Sequence, residues 1–399
     1  MTPKRFMLVA GEASGDILAA ELVEELRKGI GQISTYSTNL QPLRADLAPQ
    51  FFGAGGPRMA AAGVELAFDL TQHSIIGLPG PRESLRLLRR FNQLVKLALE
   101  RQPDVIICVD YQLFNSIFAA AIKRRVRVRS GPFNNWNPKI IKYISPQVWA
   151  SREGRARKIA RDFDLVLSIV PFEKDWYASR VPDLRVEFVG HPLVQRYSHA
   201  KFPARDVDLP EAPNVLLLPG SRRGEVERHW PVMLAAWQKI QAAMPSARAK
   251  AILPNETLAA MARSVPGQPA EIQVGGLAEA LAKADVAISK TGTITLECAL
   301  FGVPTVTMYI ASAFTYQVGR RIVKVKWASM PNLIANREVF PEFIQHDATP
   351  ENISHAALQL LRNPSRRQKV TAQMAEVVAK LGTPGASQRA AEAILGLMR

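Results

Sequence analysis

Residues 6–16 read FMLVAGEASGD, and this stretch passes from a predicted strand into a predicted helix. The run 6–10 is short and apolar, as in a buried strand, whereas apolar residues recur at helical spacing from Ile17 onward. The turn between them supplies two glycines, a hydroxyl and two carboxylates. Glycines let backbone approach a ligand, and a helix N-terminus offers free N–H groups. The stretch therefore predicts a ligand site at the carboxyl edge of a parallel sheet.

Short apolar runs alternate with helical stretches along all 399 residues, which predicts parallel sheets built from strand–helix–strand units. A chain of this length exceeds one ordinary core, so two domains are expected. The predicted strands of the first half are 6–10, 105–109, 142–145, 165–170 and 186–189. Those of the second half are 215–219, 249–253, 286–289 and 305–308.

The proline-rich stretch 193–213 breaks this alternation and is interpreted as a linker. It separates a first domain, 1–192, from a second domain, 214–364. Each is expected to be a doubly wound, Rossmann-like α/β domain, and the two are expected to face a cleft. The remaining segment, 365–399, is predicted to be helical.

Composition indicates a globular protein, with 47% hydrophobic and 22% charged residues. No apolar run reaches the roughly 18 residues that span a bilayer, and the N-terminal apolar stretch is too short for a signal peptide. We therefore expect a cytoplasmic protein. Cys108 and Cys298 lie in apolar surroundings, which favours buried free thiols over a disulfide.

The formal net charge of +16 requires an explanation, and eleven basic residues against four acidic ones lie in 82–129. Nucleic acid, an anionic membrane surface, a phosphorylated substrate and a solvated basic surface are the alternatives. The basic residues are not interleaved with stacking aromatics, so we expect no nucleic-acid partner. The segment 85–95 mixes apolar and cationic residues at helical spacing, which suits either a lipid headgroup region or packing on the sheet.

Two further strand-to-helix turns occur in the second half. After the strand-like run 214–218, Ser221 and Arg222 fall at the sheet edge, where an arginine can form paired hydrogen bonds to phosphate oxygens. The other turn, 289–297, reads SKTGTITLE, and its Thr-Gly-Thr suits an anion at a helix N-terminus. Glu297 can accept hydrogen bonds from ribose hydroxyls, or it can belong to a capping box. Together the turns predict a nucleoside diphosphate pocket.

The chain resembles the bacterial lipid-A-disaccharide synthase family, which consists of glycosyltransferases, along nearly its whole length. The stretches that carry the resemblance are AGEASGD at 10–16, FFGAGGPRMAAAGVE at 51–65, YISPQVWA at 143–150, RKIARDFDLVLSIVPFEKDWY at 157–177, VGHPLV at 189–194, LLLPGSRRGEVE at 216–227, TGTITLE at 291–297 and SMPNLIANREVFPEF at 329–343. The resemblance implies a GT-B fold with UDP bound to the second domain. It also implies that 365–399 returns to the first domain.

The resemblance further implies transfer of 2,3-diacylglucosamine from UDP to the 6-hydroxyl of 2,3-diacylglucosamine 1-phosphate (lipid X), which forms a β-1,6 disaccharide 1-phosphate. An α-linked donor and a β-linked product require inversion, and a single displacement requires a base. Asp110, which ends a predicted strand, is the first candidate and Glu12 the second. The residues expected to position the sugars are Ser14, Gly15, Asp16, Asn115 and Gln147. The alternative role for Asp16 is an N-cap on the first helix. The side chain of Trp149, two residues after Gln147, is expected either on the acceptor side or in the core.

The residues expected to bind UDP are Ser221, Arg222, Thr291, Gly292, Thr293, Glu297 and Asn332. No metal and no cofactor are expected, because the D-x-D patterns at 162–164 and 206–208 fall at a strand entry and in the linker. The expected partners are the donor, the acceptor and the anionic inner face of the inner membrane. A homodimer is one alternative for the oligomeric state.

The sequence departs from the family pattern at 111–113 and at 130–138. The second of these segments, 130–138, is interpreted as an insertion beside the active-site cleft. These departures put acceptor preference in question more than chemistry. The alternatives are a UDP-sugar enzyme with another acceptor, a UDP-N-acetylglucosamine 2-epimerase, and a relative that binds UDP-sugar without turnover. Retention of Asp110, Arg222 and Glu297 argues against the last of these.

Overall fold

The computed structural model describes residues 4–37, 48–71, 81–198, 209–267 and 270–398. The chain divides into two compact units, of which the first comprises Met1–Gln195 with Thr383–Arg399 and the second Arg196–Gly382. The boundary between the units falls after Gln195. Residues 199–208 of the predicted linker lie outside the described residues.

Each unit contains one fully parallel sheet. The strands of the first are β1 (Arg5–Ala10), β2 (Gln50–Gly55), β3 (Glu65–Asp69), β4 (Val105–Val109), β5 (Lys139–Tyr143), β6 (Leu165–Ser168) and β7 (Arg185–Phe188), in the order β3-β2-β1-β4-β5-β6-β7. Those of the second are β8 (Asn214–Leu218), β9 (Arg248–Leu253), β10 (Glu271–Val274), β11 (Val286–Lys290), β12 (Thr305–Tyr309) and β13 (Glu342–Ile344), in the order β10-β9-β8-β11-β12-β13. Strand order therefore reverses between β1 and β4 and between β8 and β11, the switch points where such sheets bind ligands.

Helices connect successive strands. In chain order they are α1 (Ala13–Ser37), α2 (Pro57–Ala61), α3 (Pro81–Arg101), α4 (Gln112–Arg129), α5 (Val148–Ser151), α6 (Ala156–Asp162), α7 (Glu173–Ala178), α8 (Pro192–Arg196), α9 (Arg223–Ala243), α10 (Glu256–Arg263), α11 (Leu277–Lys283), α12 (Ile294–Leu300), α13 (Ala313–Ile322), α14 (Met330–Ala335), α15 (Pro350–Arg362), α16 (Pro364–Lys380) and α17 (Ala386–Leu397). No helix of the described residues is long and apolar enough to cross a membrane.

The first sheet has a hydrophobic core on each face. Met7 and Val9 of β1 belong to one core, whereas Phe6 and Leu8 belong to the other. This division follows from the two-residue period of a strand, and burial on both faces explains why the central strands are almost wholly apolar.

All nine predicted strands are present, although β5 begins three residues before the predicted 142–145. The sequence prediction missed four strands: β2, β3, β10 and β13. In β2 the glycines obscured the pattern, yet Gly53 is required, because a Cβ there would lie 1.9 Å from the carbonyl oxygen of Leu8. The other three are edge strands that are partly exposed, so they lack a continuous apolar run.

The C-terminal segment 365–399 is divided between the two units. Helix α16 packs against α12, α14 and α15 in the second unit, whereas α17 packs against α1 in the first. The chain therefore returns to the first unit after Gly382, not at the predicted position 364.

Candidate functional site

The carboxyl ends of β1 and β4 lie side by side, with Ala10 paired to Val109. The loops that follow interlock, because a Cβ at Gly11 would lie 2.3 Å from the ring of Tyr111. Burial raises the pKa of Tyr111, and the charge of Glu12 raises it further. Glu12 itself is exposed immediately before α1. The two predicted acid–base candidates, Glu12 and Asp110, thus follow adjacent strands at the first switch point.

Asp110 has a backbone fixed in the left-handed region, with φ of 45°. Its N–H donates to the carbonyl of Tyr143, and its own carbonyl accepts from the Lys142 ammonium and, at 3.0 Å, from the Asn115 amide. The half-buried carboxylate has Gln112 Nε2 at 3.4 Å from Oδ1. Non-glycine residues with positive φ are sparsely populated and cluster at functional sites. The side chain is therefore held at the sheet edge by contacts to its backbone.

Lys142 was missed by the sequence prediction, which placed it only as the start of a strand. Its side chain is fully buried on β5, opposite Cys108 of β4. Burial lowers the pKa of Lys142 to about 8, against the opposing effects of Cys108 and Asp110. A lysine within the apolar run KIIKY was the available signal, since lysine is almost never fully buried unless its charge has a partner.

Asn115 connects the ends of the two strands instead of facing a sugar. It is fully buried, and its Nδ2 donates to the carbonyls of Val9, Val109 and Asp110. This nitrogen is consequently not available to an acceptor. The structure corrects the expected sugar-positioning role to one of fixing β1 and β4 together.

Asp16 also has a different role from either one expected. It lies within the first turn of α1, so it is not the N-cap of that helix. Its buried carboxylate accepts from the backbone N–H groups of Gly56, Arg58 and Met59 at 2.8–3.0 Å and so caps α2. It therefore joins the motif 10–16 to the motif 51–65.

The remaining residues expected on the acceptor side divide by burial. Ser14 and Gln147 are exposed after β1 and β5, respectively. Gly15 is buried, and a Cβ there would lie 3.6 Å from the carbonyl oxygen of Val109. Only Ser14 and Gln147 of this group present side chains to solvent. Their assignment to the sugars stays a prediction.

The turn after β5 rests on a buried polar network. Ile144, at its start, has φ of 71°, an unusual conformation for a β-branched residue. Trp149 is buried and donates to Glu173 Oε1 at 2.8 Å, which supports the core alternative for this tryptophan. Ser145 Oγ donates to Tyr177 Oη. Burial raises the pKa of Glu173 to about 7, against the opposing hydrogen bond from Trp149.

We expect Glu173→Gln to reduce the pH dependence of stability. The folded state holds this proton more tightly than the unfolded chain, so the stabilisation is complete below about pH 4.5 and is lost as the pH rises through about 7. The loss amounts to up to about 3 kcal/mol, and glutamine removes it while keeping an acceptor for Trp149. Urea unfolding from pH 5 to 8 measures the slope. Glu187→Gln, which removes a half-exposed ion pair with Lys174, is the control and should keep the pH slope of stability. If the Glu173 variant also keeps that slope, the prediction is wrong.

The segment 130–138 does not lie beside the site, so its interpretation as an insertion at the active-site cleft is wrong. It joins the end of α4 to the start of β5, at the amino edge of the sheet. Trp136 Nε1 donates there to the carbonyl of Pro103, just before β4. The departure 111–113, in contrast, directly follows β4 at the carboxyl edge, and Leu113 is exposed.

The second switch point carries two cations around one buried carboxylate. Glu225, at the third position of α9, accepts from the N–H groups of Ser221 and Arg222 and pairs with Lys290 Nζ at 3.2 Å. Arg222 Nη1 lies 3.9 Å from the same carboxylate. Burial opposes ionisation of Glu225, but Lys290 and the hydrogen bonds outweigh it, so its pKa is below the ordinary value. One positive charge is left over, as an anion site requires.

Most of the predicted UDP-binding residues lie just after two strands, β8 and β11. Ser221 and Arg222 follow β8, and Thr291, Gly292 and Thr293 follow β11. Ser221, Arg222 and Thr293 are exposed, whereas Thr291 is buried. Gly292, with φ of 138°, turns the chain into α12. The sequence prediction missed Lys290 and Glu225, although both stand within the quoted stretches.

Glu297 does not belong to a capping box, so that alternative is wrong. It lies one position too late in α12, and the N-cap Thr293 makes no side-chain capping bond. Tyr197 instead donates its hydroxyl to Glu297 Oε2. Burial raises the pKa of Glu297, partly offset by this hydrogen bond and by Arg196. The contact with Tyr197 links residues 100 positions apart and could not be read from local sequence.

Asn332 cannot bind a nucleotide through its side chain, which corrects that expectation. It is fully buried, and its Oδ1 accepts from the N–H groups of Val339 and Phe340 at 2.8 and 2.9 Å. Its Nδ2 donates to the Phe340 carbonyl and to Glu342 Oε1. All four hydrogen bonds of the amide are thereby made. Asn332 shapes the segment after α14 and holds Glu342.

We expect Asn332→Ala to destabilise the second unit by about 3 kcal/mol, because it leaves several buried polar groups unsatisfied. Urea denaturation of the full chain measures this loss. Asn352→Ala, which removes one exposed hydrogen bond to the Asp347 carbonyl, is the matched control and should cost less than about 0.5 kcal/mol. Equal stability of the two variants would contradict the role given to Asn332.

The predicted D-x-D pattern at 162–164 is used structurally. Asp162 pairs with Arg161, and Asp164 accepts from Lys123 and from the N–H of Ile140. The pattern at 206–208 lies outside the described residues. Within the part of the chain that the structure describes, no three His, Cys, Asp or Glu side chains are placed to hold a metal ion.

A sequence profile for Lipid-A-disaccharide synthetase matches residues 6–395. The chain belongs to this family. The lipid-A-disaccharide synthase of Geobacter metallireducens is 36% identical, with 99% of this chain and 97% of the relative covered. The lipid-A-disaccharide synthase of Myxococcus xanthus is 35% identical, with 99% of this chain and 98% of the relative covered. The predicted family, the glycosyltransferase class and the role in lipid A biosynthesis are therefore confirmed.

Solved structures support the GT-B fold predicted for this synthetase family member. UDP-GlcNAc 2-epimerase from Neisseria meningitidis, bound to UDP-GlcNAc, superposes with a TM-score of 0.62 at 11% identity, covering 99% of this chain and all of that one. MurG from Acinetobacter baumannii superposes with a TM-score of 0.55 at 14% identity, with the same coverage of both chains. At these identities the likeness concerns the fold alone. The family match does not favour the epimerase alternative.

Proposed function

We propose that the chain transfers 2,3-diacylglucosamine from UDP to the 6-hydroxyl of 2,3-diacylglucosamine 1-phosphate, releasing UDP. The observation that carries this proposal is the pair of switch points. The first presents a carboxylate, Asp110, on a fixed backbone, and the second presents Arg222 and Lys290 around Glu225. One supplies a base for a hydroxyl, and the other supplies charge for a diphosphate.

In the acceptor half of the reaction, Asp110 accepts the proton of the 6-hydroxyl as the oxygen attacks the anomeric carbon. A base that is held in position contributes most when its geometry does not need to be rearranged. The hydrogen bonds of Lys142 and Asn115 to the Asp110 carbonyl provide this restraint. In this proposal Glu12, which is exposed after β1, orients the acceptor sugar.

In the donor half, the bond from the anomeric carbon to the diphosphate oxygen breaks and negative charge grows on UDP. The guanidinium of Arg222, the Lys290 ammonium and the hydroxyls of Ser221 and Thr293 stabilise that charge. Glu297, held by Tyr197, accepts from the ribose hydroxyls. No metal takes part in this proposal, because the cluster of Arg222, Lys290 and Glu225 keeps one positive charge for the diphosphate.

We also propose that the protein works at the anionic inner face of the inner membrane, because both substrates carry acyl chains. Helix α3 supports this, since Leu85 and Leu88 are 51% and 54% exposed among Arg86 and Arg89. Apolar and cationic side chains on one exposed helix suit a headgroup region. The homodimer stays a prediction that sedimentation would test.

A mass-spectrometric assay tests the reaction. Purified protein receives UDP-2,3-diacylglucosamine and 2,3-diacylglucosamine 1-phosphate in detergent micelles with EDTA present. We expect equal amounts of UDP and disaccharide 1-phosphate. Absence of product from protein that still binds UDP would contradict the proposed acceptor, and product that appears only when a divalent cation is restored would contradict metal independence.

A further inference from the structure

Helix α13, in the second unit, is folded without burying any of its residues. Helices this short are marginal alone, and helices in proteins usually gain stability by burying an apolar face. Its local support is an N-cap, where Ser312 Oγ accepts from the N–H of Thr315 at 3.2 Å. The apolar face of α13 is thus partly exposed to solvent.

That face is continuous. Phe314, Val318 and Ile322 repeat every four residues, so they form one stripe, and they are 80%, 39% and 37% exposed. Tyr316, at a different angle around the helix, contacts the ring of His346 with centroids 5.9 Å apart. The helix therefore meets its unit in part through a side other than the stripe.

Cationic residues lie at the C-terminal end of the stripe. Exposed basic side chains follow in and after the last turn of α13: Arg320, Arg321, Lys324 and Lys326. The sequence contains no acidic residue between Glu297 and Glu338. An apolar stripe with exposed cationic side chains at one end matches the two layers of an anionic bilayer, its acyl boundary and its headgroups.

The helix is also anchored close to the nucleotide-binding edge. It follows β12, which pairs with β11, the strand that ends at Lys290. The N–H of Ile310 donates to His229 Nε2, and the Ile310 carbonyl accepts from Arg228 Nε, both at 3.0 Å. Both side chains belong to α9, whose N-terminus carries the Arg222 cluster. The segment leading into α13 is thereby fixed to the anion site.

We propose that α13 and residues 323–326, here called the α13 surface, bind an anionic lipid bilayer directly. This inference extends the proposed function, because it gives the second unit its own membrane contact beside that of α3. A bilayer contact on the unit that holds UDP would keep the donor's acyl chains at the lipid boundary while its diphosphate reaches Arg222.

Flotation of the full chain with vesicles tests the proposal. One vesicle preparation is phosphatidylcholine alone, and the other contains one third phosphatidylglycerol. Two variants alter the α13 surface: Phe314→Ser with Val318→Ser and Ile322→Ser, and Arg320→Gln with Arg321→Gln, Lys324→Gln and Lys326→Gln. We expect each to lower the partition coefficient on anionic vesicles by about tenfold or more. Wild-type binding should weaken as salt is raised.

Matched controls remove similar groups elsewhere on the second unit. They are Val274→Ser for the apolar change and Lys239→Gln with Arg263→Gln, Lys369→Gln and Lys380→Gln for the charge change. Controls should bind like the wild type. Binding by the α13 variants equal to that of the wild type, or equal wild-type binding to neutral vesicles, would overturn the proposal. Loss of self-association in place of loss of vesicle binding would assign the surface to a second copy and would also overturn it.

Transfer in detergent micelles separates this inference from the proposed reaction. The α13 variants should retain wild-type turnover there, because micelles present both substrates without a bilayer. A wild type that fails to transfer but binds vesicles would contradict the reaction alone. If the wild type transfers but the α13 variants bind vesicles as the wild type does, this inference alone would be contradicted.

Discussion

We expect Asp110→Asn to lower kcat about 10³-fold while UDP affinity stays at the wild-type value. The expected loss is that of a general base, which typically contributes about 10²–10⁴-fold. Asparagine is the suitable replacement, because it is among the residues that tolerate the positive φ found at position 110. The contacts of Lys142 and Asn115 to the backbone carbonyl should therefore persist.

Steady-state transfer and calorimetric titration with UDP, on the same preparation, measure the two quantities. Asp183→Asn, in an exposed turn before β7, is the matched control and should change neither. If Asp110→Asn turns over normally, the base lies elsewhere and Glu12 becomes the first candidate. If UDP affinity falls as well, Asp110 has a structural role and the assignment is wrong.

Arg222→Ala is expected to weaken UDP binding and turnover together, with kcat/KM falling about 10²–10³-fold. Arg222 meets the diphosphate before and during bond cleavage, and removal of one charge-stabilising donor typically costs this much. Its side chain is 62% exposed and its Nη1 lies 3.9 Å from Glu225 Oε1, so the ion pair leaves donors for a phosphate. Arg222→Lys should recover only part of the loss, because lysine keeps the charge but not the paired donors.

Arg223→Ala is the control that the sequence itself provides. This neighbour is 81% exposed and pairs with Glu227 one turn along α9, at 2.8 Å. Such exposed pairs contribute little, so UDP affinity should stay within about twofold. A larger effect at Arg223 than at Arg222 would show that the second arginine, not the first, meets the diphosphate.

The sequence identified the strand ends of the site because the signals there are local. An apolar run followed by a turn is visible within ten residues, and this placed Asp110 and Arg222 correctly at the carboxyl edges of β4 and β8. The edge strands β3 and β10 lacked that signal, because partial exposure breaks the apolar run.

The roles of the polar residues could not be predicted in the same way. Asn115 bonds to Val9, which is 106 positions away, and Asp16 bonds to Gly56, which is 40 positions away. Both residues stand in motifs that the sequence indicated, but a motif does not state which partner a side chain meets. Lys142 was overlooked for a related reason, since the burial of β5 on both faces depends on the whole sheet.

Helix α17 means that the first unit is completed only after the second unit has been synthesised. Its Ala390, Ile394 and Leu395 belong to the core that α1 and β1 form, although α17 is translated after the whole second unit. The second unit, by contrast, is one continuous segment, Arg196–Gly382. Domains made first usually fold first on the ribosome. Here the first unit leaves the ribosome first but can close its core only after the second unit has been made.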